Sequence, residues 1–522
     1  MNKKTTFLTL VILIFFSTFL IAQDLTPKEE LGKKIFFDRI SSPDWMACAN
    51  CHAPEVGFVG PIPGINDRGS VYFGAVPQRT GNRKPPSAAY ATLSPMFTYD
   101  VAEGLFVGGN FWDGRATGEI TEINPASDQA LGPFLNPVEQ NNPDKLAVLE
   151  QIASSKYSYL WEVVWGHQID FDNVDEEYKL VGISIGAYEA SFEVNQYSSK
   201  FDAFWDNAKT AGIDVTAIVG GNYTNPIYDD LGLNEEEVYG LAMFNDEDKG
   251  KCSLCHTLDE GPDGYPVFTD FTFDNLGVPK NPENPFYGMD EVYLDDGTPI
   301  NPAGADWIDP GLGGFLSTLE NVNSTWYAMA DANMGKHKVP TLRNVDKRPG
   351  KGFIKAYMHN GVFKSLKEVV HFYNTRDVET WPPPEYAATM NTEELGDLGL
   401  SDTEEDAIVT FMKTLSDGYK PKMHKENNSI NCLVQSSAKL RIDGPNPFNP
   451  STRLSYFLPE DANIQLLVFN LTGERVATLY NGFMSSGEHQ VIFNAGNLAS
   501  GIYLASLYTG KELITVKLLL MK

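Results

Sequence analysis

Cys48-Ala49-Asn50-Cys51-His52 and Cys252-Ser253-Leu254-Cys255-His256 together use four of the five cysteines of this 522-residue chain. Two thiols at this spacing can add across the two vinyl groups of one haem, and the His that follows can turn its imidazole onto the iron as proximal ligand. Two such pentapeptides therefore predict two covalently bound c-type haems. Cys48, Cys51, Cys252 and Cys255 would attach them, with His52 and His256 on the metal. The competing chemistry is one zinc site built from four thiolates. Zinc does not require a His directly after each pair, and export of the chain favours haem attachment. Cys432 is left over as an unpaired thiol.

The elements that must position these motifs repeat. Gly32-Lys33-Lys34-Ile35-Phe36 precedes the first motif and Gly240-Leu241-Ala242-Met243-Phe244 the second, each on a predicted helix. The first helix starts at Thr26-Pro27 with Glu29 at its third position, and the second at Asn234 with three glutamates in its first turn. Ser401–Glu404 is a capping box that opens another helix, with Ile408, Met412 and Leu415 on one face. The architecture expected is mainly α: two tandem cytochrome c-like helical domains, then a small all-β immunoglobulin-like sandwich.

The ends of the chain differ from its middle. Lys3 and Lys4 precede an apolar run from Phe7 to Ile21, with Ala22-Gln23 after it, which reads as a secretory signal peptide. From about Ala438, short alternating runs such as Ile464–Phe469 are punctuated by Ser-Gly and Thr-Gly turns, the pattern of a small antiparallel β-sandwich. The expected division is a signal peptide over 1–22, helical domains over 23–225 and 226–420, a linker over 421–437 and the sandwich over 438–522. No other hydrophobic stretch is suited to crossing a membrane. The net charge of −29 argues against a nucleic-acid partner. Between the signal segment and residue 438 it reaches −32, so the acidic character belongs to the haem-motif region. A basic electron-donor protein, such as a small cytochrome, is the expected partner.

With these residues in view, the chain from about Leu31 to Gly418 resembles the bacterial di-haem cytochrome c peroxidase and MauG family. The resemblance is carried by Leu31–Asp38, Phe111-Trp112-Asp113-Gly114-Arg115-Ala116, Val339-Pro340-Thr341-Leu342-Arg343-Asn344 and Tyr357-Met358-His359-Asn360-Gly361, in this order around both haem motifs. It implies that the first haem is the peroxide site and that the second passes electrons to it. Gln129, Pro133 and Glu139 match the family residues on the peroxide side. A carboxylate there can relay the proton from the inner to the outer oxygen of hydrogen peroxide. The resemblance thus makes Glu139 the acid–base group and Gln129 the group that orients peroxide. Trp112 matches the tryptophan lying between the haems, and His359 a family position of structural role.

Two departures stand out. Family members that need reductive activation carry a removable distal His after the first motif, yet no His occurs between Ala53 and Asn110. The first haem is therefore expected to be open, as in MauG. The distal Met of the second haem aligns to Tyr373, where MauG has Tyr. Tyr373 follows a Ser365–Glu368 capping box and shares a helical face with Leu366 and Val370, so core packing is its other reading. Met358 and Met334 are the alternative ligands. The family's calcium-binding Asn appears as Lys84, which puts a calcium ion at that site in doubt. The Asp-, Asn- and Pro-rich stretch from Asp259 to Asp331 suits either a cover for the second haem, a partner surface or a solvated loop.

The last 80 residues or so resemble the type A C-terminal sorting domain of the type IX secretion system, through Pro445–Pro450, the Gly473-Glu474 turn, Leu498–Tyr503 and Lys517. This implies passage through the periplasm to the cell surface or medium. Three functions follow as expectations: reduction of hydrogen peroxide to water, MauG-like oxidation of a protein or organic substrate, or electron transfer without catalysis.

Overall fold

A computed structural model describes residues 25–420, 438–459, 462–470, 475–484, 486–509 and 513–522. The signal segment, the linker with Cys432 and the Gly473-Glu474 turn lie outside the described residues. The chain divides into a haem-motif unit and a C-terminal β unit, with the division near residue 421.

In the haem-motif unit, helix Pro27–Phe37 begins at a capping box in which Thr26 and Glu29 each satisfy the other's backbone N–H. Its apolar face buries Leu31, Ile35 and Phe36 against helix Val174–Glu189, together with Val148, Leu149, Trp161, Val181 and Ile185. The two helices meet at Gly32, where a Cβ would stand 1.8 Å from the carbonyl oxygen of Ser184. The same construction recurs before the second motif. Helix Glu235–Asn245 is capped by Asn234 and Glu237 and crosses helix Asp402–Lys413, and a Cβ on Gly240 would stand 1.9 Å from the carbonyl oxygen of Ala407. The glycines of the two repeated segments thus do the same work: without a side chain, the helix backbones touch.

This second core holds Leu241, Phe244, Phe268, Phe372, Ile408 and Phe411. Helix Lys200–Ala211 adds Phe201, Phe204 and Ala208 to it, although it precedes residue 225. The stretch from Asp259 to Asp331 is built mostly of short turns rather than long helices. Its asparagines bond main chain within and beyond the stretch: Asn301 donates from Nδ2 to the carbonyls of Phe286 (2.9 Å) and Gly304 (3.0 Å), and Asn281 to those of Arg68 (3.1 Å) and Asn360 (3.0 Å). Its apolar residues Phe273, Leu312 and Leu316 pack with Phe97 and Phe106 in a third cluster. The stretch is therefore a packed cover and not only a solvated loop.

The β unit, among the described residues, has a three-stranded sheet (Lys439–Ile442, Ser451–Leu458, Gly487–Asn494) and a four-stranded sheet (Leu513–Leu520, Gly501–Tyr508, Ala462–Asn470, Arg475–Met484), each antiparallel with its strands in that spatial order. Alternate residues Ile464, Leu466 and Val468 point inward with Ala505 and Leu507, and share one core with Leu454, Tyr456 and Leu458 of the other sheet. Among the described residues no helix is long and apolar enough to cross a membrane.

Candidate functional site

Each Cys-x-x-Cys-His motif opens on a single 3₁₀ turn, Cys48–Asn50 or Cys252–Leu254. The turn closes with the N–H of the His donating to the carbonyl of the first Cys, at 3.0 Å for His52 and 2.9 Å for His256. The imidazoles are then fixed alike. Nδ1 of His52 lies 3.1 Å from the carbonyl of Phe58, and Nδ1 of His256 lies 2.9 Å from that of Phe268. A carbonyl only accepts, so Nδ1 carries the proton and Nε2 keeps its lone pair. Burial pushes both imidazoles down to about 4, which keeps them neutral and able to ligate. Burial also raises the thiols of Cys48 and Cys252 to about 12.

The two motifs face different cavities. One is lined by Cys48, Cys51 and His52, the other by Cys252, Cys255 and His256. Four thiolates split in this way do not converge on one zinc ion. A thiol pair, a fixed imidazole and a cavity at each motif do fit a covalently held haem.

The first cavity also gathers Gln129, Pro133 and Glu139. Gln129 ends the short helix Pro125–Gln129, whose start is capped by the side chain of Asn124. Glu139 sits in a turn held by Asn136, whose Nδ2 donates to Oε1 at 3.1 Å. Burial raises the Glu139 carboxyl, opposed by the Arg115 guanidinium and the Asn136 hydrogen bond. The carboxyl is thus kept nearer to neutrality than a surface glutamate.

Tyr373 lines the second cavity with His256, as does Met358, whereas Met334 is not among the lining residues. Helix Leu366–Thr375, capped by Ser365 and Glu368, carries Tyr373 there while Leu366 and Val370 are buried. Burial pushes the phenol up, so it stays protonated unless a cation such as ferric iron stands against it. The covering stretch contributes Asp274, Leu276, Val278 and Asp309 to the same cavity.

Trp112 lines both cavities and is only 8% exposed. Its indole N–H donates to the carbonyl of Lys84 at 2.8 Å, and its own carbonyl accepts from the N–H of Lys338 at 2.8 Å. Beside it, the Arg83 guanidinium is shared between Asp113 (2.5 Å) and both oxygens of Asp309 (2.6 and 2.7 Å). This buried pairing ties the covering stretch to the Trp112-Asp113 segment.

Sequence reasoning missed Glu189. It lines the first cavity, is 3% exposed, and burial without a partner lifts its carboxyl to about 8. Its signal lay one helical turn away: Ile185 lines the same cavity, so Glu189 is an acid on an otherwise apolar helix face. His337 was missed as well. Its imidazole lies stacked on that of His359, ring centroids 3.6 Å apart.

Residues 26–210 match the family model described as di-haem cytochrome c peroxidase, and residues 445–521 match that of the secretion system C-terminal sorting domain. This is a haem peroxidase enzyme with a C-terminal sorting domain. The methylamine utilization protein MauG of Paracoccus denitrificans is 29% identical over 412 residues, covering 76% of this chain and 90% of its own. The cytochrome-c peroxidase IdrP2 of a Pseudomonas species is 24% identical over 392 residues, covering 74% and 80%. The crystal structure of the diheme peroxidase BthA from Burkholderia thailandensis superposes with a TM-score of 0.57 at 26% identity, covering 76% of this chain and 87% of that one. Over about three quarters of its length the chain is thus similar to MauG and to cytochrome-c peroxidases, and residues 26–210 match the di-haem cytochrome c peroxidase family.

Proposed function

We propose that the protein is an exported di-haem peroxidase that reduces hydrogen peroxide to water at the first motif, with electrons arriving through the second. Each turnover takes up two electrons and two protons and releases two waters. Haem iron at His52 and His256 would supply the redox chemistry. The polypeptide supplies the rest: Gln129 orients peroxide, Glu139 carries a proton between its oxygens, and Trp112 stands on the route between the cavities. The observation that supports this reading is the gathering of Gln129, Pro133 and Glu139 in the cavity of His52, with Trp112 shared by both cavities.

A MauG-like oxidation of a protein or organic substrate is the second reading, favoured by Tyr373 in the cavity of His256 and by the match to MauG. A surface electron carrier without catalysis is the third, and it leaves Glu139 inert. The C-terminal unit, read as an immunoglobulin-like sandwich, would direct the chain to the type IX secretion machinery. The acidic haem region would steer a basic donor protein, and Lys84 in place of an Asn ligand would disfavour calcium at that site.

The deciding experiment is a haem count with peroxide turnover on the mature protein. Two haems and a large loss of turnover in Glu139→Gln support the peroxidase. Fewer than two covalent haems overturns the architecture, and two haems with unchanged turnover overturns the mechanism. Peroxide consumption that requires an organic or protein substrate rather than a reduced cytochrome selects the MauG-like reading.

A further inference from the structure

Among the groups lining the second-motif cavity, Lys84 is an ammonium with little to hold. Lys84 Nζ has one hydrogen bond, to the carbonyl of Pro85 at 3.2 Å, and no carboxylate partner among the described residues. Lys338, in the same wall, is by contrast satisfied by Ser94, Asn110 and the carbonyl of Gly109. The Lys84 N–H donates to the carbonyl of His359 at 2.8 Å, which sets the lysine beside the backbone of the residue whose imidazole stacks on that of His337. Nε2 of each imidazole is buried without a hydrogen-bond partner. The nearest carboxylates stand close but outside hydrogen-bond geometry: Asp309 Oδ1, shared with the Arg83 guanidinium, is 3.3 Å from His337 Nε2, and Glu385 is 3.7 Å from His359 Nε2.

A cation with spare N–H groups and two unpartnered imidazole nitrogens on one cavity wall call for either a metal ion or an anion. Ligand atoms of Asp309, His337 and His359 do lie within 4.8 Å of one another. The rings, however, are parallel to within 9°. Lone pairs lie in the ring planes, so those of two parallel stacked imidazoles do not converge on one ion. A carboxylate fits: it has four acceptor sites, and it supplies the negative charge that a buried ammonium lacks.

We propose that Lys84, with the stacked pair His337 and His359, binds the propionate carboxylates of the haem attached at Cys252 and Cys255. This rests on the di-haem reading above. Haem brings two carboxylates into the cavity that holds these groups, whereas a free acid would have to enter beside it. Lys84 also lines the first cavity, so its charge is placed to act on both haems. Burial lowers Lys84 to about 8, and a propionate beside it would restore the charge.

The test compares wild-type holoprotein with Lys84→Met, which keeps the apolar stem, and His337→Phe, which keeps the ring stack. Haem is counted as pyridine haemochrome, propionate-bending bands are read by resonance Raman, and midpoint potentials by spectroelectrochemistry. The proposal expects two haems in every variant, a shifted propionate band in both variants, and a lower midpoint in Lys84→Met, because a lost cation favours the ferric state. Unchanged bands in a two-haem Lys84→Met protein overturn it, whether or not the potential moves. A divalent metal that is stoichiometric in the wild type and lost in His337→Phe also overturns it and returns the cluster to metal binding. Fewer than two haems in the wild type overturns the parent reading instead.

Discussion

The indole N–H of Trp112 donates to the main-chain carbonyl of Lys84 at 2.8 Å, at the place where the walls of the two motif cavities meet. The bond fixes the ring plane on the partition, and the Lys338 N–H holds the Trp112 carbonyl from the other side. Trp112→Phe keeps an aromatic ring but leaves the Lys84 carbonyl without this donor. The expected loss of stability is about 1–3 kcal/mol, read by denaturant unfolding. Both haems should be retained while transfer between them slows, as followed by stopped-flow absorbance.

Glu139 should set the acid side of the pH–activity profile. Its carboxyl is raised above the ordinary carboxylate value, chiefly by burial. A proton-accepting carboxylate is lost as pH falls through its own pKa, so wild-type turnover should decline at a higher pH than a surface glutamate would dictate. Glu139→Gln should abolish that limb and lower turnover by about 10²–10⁴-fold, as measured by steady-state kinetics with two haems still bound.

Glu189 makes a different prediction, on stability. Its carboxyl titrates near 4.5 in an exposed chain and near 8 when folded. Between these values the folded state holds the additional proton. Its contribution is therefore full below about 4.5 and is lost as pH rises toward 8, with a slope of about 1.4 kcal/mol per pH unit at most. Glu189→Gln should flatten the fall in wild-type stability across that window, as seen in denaturant midpoints taken at several pH values.

Gly32→Ala and Gly240→Ala should each be strongly destabilising. The added carbon would meet a facing main-chain carbonyl oxygen at 1.8 Å and 1.9 Å respectively, so the helices must separate. A cost of about 1–3 kcal/mol or more is expected for each. Thermal unfolding monitored separately at each haem would show which core yields.

The rate of reduction by a basic cytochrome should fall steeply as salt rises, because the region between the signal segment and residue 438 carries −32. Stopped-flow rates that do not change with ionic strength would leave solubility as the reason for the charge.

Local chemistry and local structure were legible in the amino-acid order. Cys-x-x-Cys-His is a contiguous motif, so spacing alone proposes Cys48, Cys51, Cys252 and Cys255 for attachment and His52 and His256 as ligands. The caps at Thr26, Asn234, Ser365 and Ser401 involve residues three apart, and all four hold in the structure. The alternation from Ile464 to Val468 likewise announces an inward-facing strand. Gln129, Pro133 and Glu139 were legible only through family resemblance, because nothing in a solitary loop glutamate distinguishes it from a surface charge.

Tertiary structure alone decided what distant segments do together. Lys84, Trp112, Asp309, His337 and His359 come from widely separated stretches of chain, and only folding sets them around one partition. It also decided that the Asp259–Asp331 stretch packs as a cover, since Asn281 and Asn284 donate to the distant carbonyls of Arg68, Asn360 and Asn82 and its apolar residues find partners near residue 100. Glu189 shows the limit most plainly. A helical period can place an acid on an apolar face, but the shift of its proton depends on desolvation, which arises only when the surrounding elements close over it.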